Sequence, residues 1–112
     1  MNEIKQITPL QLSEVIASGT KIDLIDVRTP EEYADVRAEG AVSVPLDTVD
    51  VAAVNAARQA GEDQPIYVIC KVGGRSMMAC ELLAQHGIKN LVNVAGGTEL
   101  WVESGLPTRS GQ

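Results

Sequence analysis

Chemistry in this chain centres on the stretch Cys70-Lys71-Val72-Gly73-Gly74-Arg75-Ser76. It follows Pro65-Ile66-Tyr67-Val68-Ile69, a continuous apolar run that reads as a buried strand, and it leads into a helical pattern from Ser76 to His86. A cysteine at such a junction meets converging backbone N–H groups of residues 71 to 76 and the positive end of the helix. Gly73 and Gly74 can take positive φ without a Cβ penalty, as a tight ring of this kind needs. Arg75 can add a permanent cation at the rim or floor. Such surroundings lower a thiol pKa from about 8.5 to roughly 3.5–7.5. They also suit an oxyanion, so the expected chemistry is displacement or transfer at sulfur, phosphorus or arsenic. A lone cysteine ending a buried strand is otherwise a small core residue. The glycines, the arginine and the helix start favour a nucleophile. Lys71 either draws an anionic substrate or is a solvated charge, and Val72, Gly73, Gly74 and Ser76 complete the substrate-binding loop.

Other polar and sulfur-bearing residues read as support. Asp26 ends an apolar strand, where it can hold the active-site loop, hold Arg28 or cap a turn. Arg28 is expected to pair with Glu31 or Glu32 at the surface, a contact of roughly 0–1 kcal/mol. Cys80, four residues after Ser76 and on the face of Ala79 and Leu83, points into the core as an inert thiol. His86 suits the helix C-terminus. Trp101 is expected to pack the last turn on the sheet or else to line the pocket, and Met77 and Met78 to do either.

The elements that must position this loop alternate along the chain. Strands are expected at Ile4–Ile7, Lys21–Val27, Val42–Val44, Pro65–Ile69 and Leu91–Val94. Thr8-Pro9-Leu10-Gln11 and Thr29-Pro30-Glu31-Glu32 are both helix starts, with a Thr cap, Pro at the first position and a reciprocal Gln or Glu. Further helices are expected over Val49–Ala60 and Thr98–Glu103. Alternation of this kind indicates an α/β fold with an open, five-stranded, mostly parallel sheet and helices on both faces. Ligands then sit outside the carboxyl ends of the strands.

The chain as a whole sets bounds. Its 112 residues suit one domain, residues 1–112, able to bury roughly 65% of its unfolded surface. A net charge of −6 argues against a nucleic-acid surface but not against a small anionic substrate. No apolar run approaches the ~20 residues of a membrane span, and Met1-Asn2-Glu3-Ile4-Lys5 carries no secretory pattern. Two cysteines and one histidine suit neither a disulfide framework nor a zinc site, so a reducing cytoplasm with free thiols is the economical reading.

The sequence closely resembles the rhodanese-like sulfurtransferase family along nearly its whole length. The resemblance is carried by Asp26-Val27-Arg28 with Glu31-Glu32-Tyr33, Gly40-Ala41 leading to Val44-Pro45-Leu46, the Cys70–Ser76 loop, and Gly96-Gly97-Thr98-Glu99-Leu100-Trp101. It implies a persulfide on Cys70, taken from thiosulfate or another small anionic or persulfide donor and passed to cyanide, a thiol or a protein acceptor. It implies Arg75 polarising the terminal sulfur, and no metal or organic cofactor. Four residues separate Cys70 from Arg75; related phosphatases and arsenate reductases carry a loop one residue longer, so sulfur is favoured over those alternatives. A non-catalytic sulfur-binding or partner-docking module is the remaining reading. One position departs from the family pattern: Arg37, in Val36-Arg37-Ala38-Glu39-Gly40-Ala41, stands where relatives commonly have His.

Overall fold

The structure, a computed structural model, describes residues 4–61 and 63–111. Met1–Glu3, part of the segment read above for a secretory pattern, lie outside the described residues, as do Glu62 and Gln112. The chain runs β1 (Lys5–Ile7), α1 (Pro9–Ala17), β2 (Asp23–Asp26), α2 (Pro30–Asp35), β3 (Arg37–Ala38), β4 (Val42–Ser43), a 3-10 turn (Leu46–Thr48), α3 (Val51–Ala57), β5 (Ile66–Ile69), α4 (Gly74–Gln85), β6 (Leu91–Val94), α5 (Gly97–Glu103) and β7 (Thr108–Arg109).

Five strands form one sheet in the order β1-β6-β5-β2-β4, and each neighbouring pair is parallel. Period-two alternation divides the strands between two apolar layers. Ile66, Val68 and Cys70 join Ile25, Ala79, Cys80 and Leu83 under α3 and α4. Tyr67 and Ile69 join Leu12, Leu24, Val92, Val94 and Trp101 under α1 and α5. The same parity turns Asn93, between Val92 and Val94, toward the α4 layer that holds Cys70. Leu12 has no exposed surface, and burying such a side chain contributes about 1.5–3 kcal/mol.

Both Thr-Pro starts are capping boxes: Thr8 accepts from Gln11 N–H and Thr29 from Glu32 N–H, each answered by the Gln or Glu side chain. The third helix is shorter than its apolar pattern suggests. Asp50 caps its start by accepting Ala53 N–H at 2.7 Å. Beyond Ala57 the N–H groups of Gln59 and Ala60 turn to the buried Asp23 carboxylate instead of continuing the helix. Val44 falls outside β4, where Pro45 ends the run. The second sheet, β3 antiparallel to β7, has strands of two residues, too short for any periodicity to mark. Arg37 explains itself there: it stacks over Tyr33 at 4.3 Å and donates to Tyr33 O and Gly111 O, tying the returning chain to α2. Among the described residues no helix is long and apolar enough to cross a membrane.

Candidate active site

Cys70 follows the last residue of β5, beside the end of β2, because Ile69 pairs with Asp26 and Val27 N–H donates to Ile69 O at 3.0 Å. Its residue is 1% exposed. Gly73 N–H donates to its Sγ at 3.0 Å and Ser76 Oγ lies 3.3 Å away. Burial pushes the thiol up, but the Ser76 hydroxyl and the N–H groups of Ser76, Gly73 and Val72 outweigh it and hold the pKa below the ordinary thiol value.

The loop closes as expected at one glycine and not at the other. Gly73 has φ +117° and caps α4, a conformation that side chains rarely adopt. Gly74 has no positive φ; it opens α4 two residues earlier than Ser76, and a Cβ there meets nothing within 4 Å. Its freedom is not what shapes the ring. A glycine that the spacing did not mark matters more. Gly97 has φ +59°, and a Cβ on it would sit 2.5 Å from both Cys70 O and Lys71 O. That close approach lets Thr98 N–H donate to Cys70 O at 2.8 Å and Glu99 N–H to Lys71 O at 3.0 Å. The start of α5 thereby clamps the start of the loop.

Arg75 stands at the rim. Its two terminal nitrogens make 2.7 and 2.9 Å bonds to the two oxygens of Glu32, across to α2. Arg75's hydrogen bonds, the largest influence, hold the Glu32 carboxyl well below the usual range, at about 2. The pair raises the Arg75 pKa in turn, with a smaller contribution from the charge of Cys70. The sequence marks Glu32 as a capping residue and as a partner for Arg28, not for Arg75; it both caps α2 and pairs with Arg75, because Thr29 N–H also donates to it.

Arg28 is not a surface partner of Glu31 or Glu32. It is 4% exposed, and its guanidinium lies on the fully buried Asp26 carboxylate at 2.8–3.1 Å, with a further bond to Val36 O at 2.6 Å. Arg28 lies in the bend that follows β2, which turns its guanidinium back onto Asp26, and the two are buried together. Asp26 Oδ1 also accepts the Arg28 backbone N–H at 3.0 Å, so Asp26 both holds Arg28 and caps the turn, two of the alternatives its position allowed.

Lys71 and Val72 are exposed. Lys71 lines a cleft of about 370 Å³ with Arg28, Glu32, Thr98, Glu99 and Glu103. Arg28 and Arg75 face a second cleft of about 300 Å³ with Pro45 and Leu46. With Arg28 on Asp26 and Arg75 on Glu32, Lys71 is the site cation without a salt bridge among the described residues.

Ser76 is fully buried, and besides Cys70 it reaches Gly73 O and Asn93 Oδ1. Asn93 carried a faint signal, a polar residue interrupting the apolar run Leu91–Val94. Cys80 is fully buried, and burial first, then the charges of Glu81 and Cys70, push its thiol up to about 12. His86 caps the far end of α4, its Nδ1 3.0 Å from Leu82 O. Trp101 is buried and donates to Pro107 O at 2.7 Å, while Met78 is 59% exposed. Among the described residues no group of three or more His, Cys, Asp or Glu could hold a metal ion.

A thiol whose pKa is lowered by hydrogen-bond donors at the carboxyl edge of a parallel sheet has the arrangement a nucleophile needs to take a group from an electrophilic donor and pass it on. Residues 8–104 match the family described as Rhodanese-like domain. The chain is 29% identical over 104 residues to a sulfurtransferase of Allochromatium vinosum, spanning 93% of this chain and 94% of that protein. It is 36% identical to the thiosulfate sulfurtransferase GlpE of Pseudomonas entomophila, over 90% of this chain and 87% of the relative. The crystal structure of a rhodanese-like domain protein from Staphylococcus aureus superposes with a TM-score of 0.76 at 32% identity, covering 88% of this chain and 91% of the other.

Proposed function

The chain belongs to the rhodanese-like domain family, and from that premise we propose that it moves sulfane sulfur from thiosulfate or a persulfide donor to a thiophilic acceptor through a persulfide on Cys70. Relatives named sulfurtransferase support transferase chemistry. The single observation that carries the reading is the pair of donors that favours an attacking thiolate at Cys70 Sγ, Gly73 N–H at 3.0 Å and Ser76 Oγ at 3.3 Å.

In the loading step the Cys70 thiolate attacks the outer sulfur of thiosulfate. An S–S bond forms, the donor's S–S bond breaks, and sulfite leaves with its electron pair. Cys70 then carries a terminal sulfur bearing the negative charge, over the N–H groups of the loop. In the second step a thiolate or cyanide attacks that terminal sulfur, and Cys70 departs as thiolate. This is covalent, ping-pong catalysis with no metal or organic cofactor. Arg75, fixed at the rim by Glu32, favours the anionic terminal sulfur, and Lys71 draws the anionic donor. Asp26 and Arg28 keep the ends of the strands in register under the loop. Free thiols at both cysteines suit a reducing, cytoplasm-like compartment.

Intact-mass measurement of the reduced protein after thiosulfate tests this directly. The expected result is a gain of one sulfur atom, reversed by cyanide and absent in Cys70→Ser. No gain with thiosulfate or with a cysteine persulfide, in folded protein, would overturn the reading.

A further inference from the structure

The hydroxyl of Ser76 has one proton and three acceptors within reach: Cys70 Sγ at 3.3 Å, Gly73 O at 3.1 Å, and Asn93 Oδ1. It can serve only one of them fully. Gly73 O already faces Asn93 Nδ2 at 3.4 Å, and that same nitrogen donates to Gln6 Oε1 at 3.3 Å. Those two acceptors fix the amide with its nitrogen toward β1 and the loop, so its oxygen must face Ser76. Asn93 is 2% exposed, and no water can readily replace a lost donor on that oxygen.

We infer that Asn93 is a positioning residue that opposes ionisation of Cys70 by competing with its sulfur for the Ser76 proton. This rests on the reading of Cys70 as the nucleophile and deepens it. In the thiol state the S–H faces Ser76 Oγ, and the hydroxyl donates onward to Asn93. When Cys70 loses its proton to solvent, Ser76 turns its O–H onto the sulfur, and the buried Asn93 oxygen is left without a donor. When Cys70 carries a second sulfur, the charge lies on the outer atom, and Ser76 returns to Asn93. Asn93 therefore favours the loaded enzyme over the emptied thiolate.

The charged and titratable groups around Cys70 are Lys71 in its own loop, Arg75 and Cys80 on α4, Asp26 and Arg28 at the end of β2, Glu32 on α2 and Glu99 on α5. Arg75 and Arg28 are committed to Glu32 and Asp26. Among these elements β6 presents no charge, only Asn93. Its effect on Cys70 must run through Ser76.

The test is the pH dependence of Cys70 alkylation by iodoacetamide in the full chain, read by mass on the Cys70 peptide. Asn93→Leu, which removes the acceptor at similar volume, is expected to move the midpoint to lower pH by about half to one unit. Ser76→Ala is expected to move it to higher pH by a similar amount. The double variant should match Ser76→Ala alone. Asn93→Val, better suited to a strand, gives the same downward shift if Asn93→Leu does not fold. A midpoint unchanged or raised in a folded Asn93 variant, as simple loosening of the loop would give, overturns the inference, and so does a double variant that differs from Ser76→Ala. Alkylation needs no sulfur transfer. Midpoints that move as expected in a protein that never gains sulfur would therefore sink the transferase reading and leave this one standing.

Discussion

Cys70 and Cys80 belong to one apolar layer and are almost equally buried, at 1% and 0% exposed, yet their thiols are pushed in opposite directions. Burial raises both. Cys80 lies in that layer with no hydrogen-bond donor on its sulfur among the described residues, and burial, then the charges of Glu81 and Cys70, hold it at about 12. Cys70 sits one residue past a strand end, where a hydroxyl and backbone N–H groups reach its sulfur and bring its pKa below the ordinary value. The lowered pKa of Cys70 comes from aimed donors, not from exposure.

The two thiols can be separated most sharply by replacing each in turn. Cys70→Ser should abolish sulfur loading while leaving thermal unfolding nearly unchanged. Cys80→Ser should load normally, but its unpartnered hydroxyl in the apolar layer should cost about 1–3 kcal/mol in denaturant titrations. Gly97→Ala comes next. Its Cβ would meet Cys70 O and Lys71 O at 2.5 Å, so the loop must move off its donors. Loading should slow by about tenfold or more, equivalent to at least about 1.4 kcal/mol, with a fall in thermal stability. A Gly97→Ala enzyme with wild-type loading rate would mean that the α5 clamp does not set the loop.

A smaller effect is expected at the rim. The Glu32 pKa is lowered from 4.5 to about 2, so its pairing stabilises the fold fully above the unfolded value near 4.5 and is lost as pH falls through about 2. The pair is partly exposed, at 35% and 29%, which screens it to about 1 kcal/mol or less. Glu32→Gln should flatten the acid limb of the stability profile between those pH values, measured by thermal unfolding. Its loss of Arg75 positioning should slow loading a few-fold. Gly74→Ala should have the least effect. With open space at the Cβ and no positive φ, it should load normally and gain up to about 0.5–1 kcal/mol of helix stability.

Much of this was legible in the sequence. The Thr-Pro starts, the apolar run 66–69 and the glycine-rich turn after Cys70 are local signals, and each has a local cause. The elements that eluded it depend on partners far along the chain. Arg75 meets Glu32 across 43 residues, and Asp23 draws the N–H groups of Gln59 and Ala60 away from helix α3. Arg28 differs from its expected surface pairing because Asp26, two residues before it, accepts both its backbone N–H and its guanidinium, while Glu32 is taken by Arg75. Asn93 and Gly97 gain their roles only when β6 and α5 are folded against the loop.

Donors that let a buried Cys70 ionise where Cys80 cannot should show in selective alkylation of the native chain. Modification at Cys70 should rise through a midpoint below the free-thiol value of about 8.5, while Cys80 stays unmodified until the protein unfolds. Equal protection of both thiols in native protein, or a Cys70 midpoint above the free-thiol value, would contradict that role of the donors.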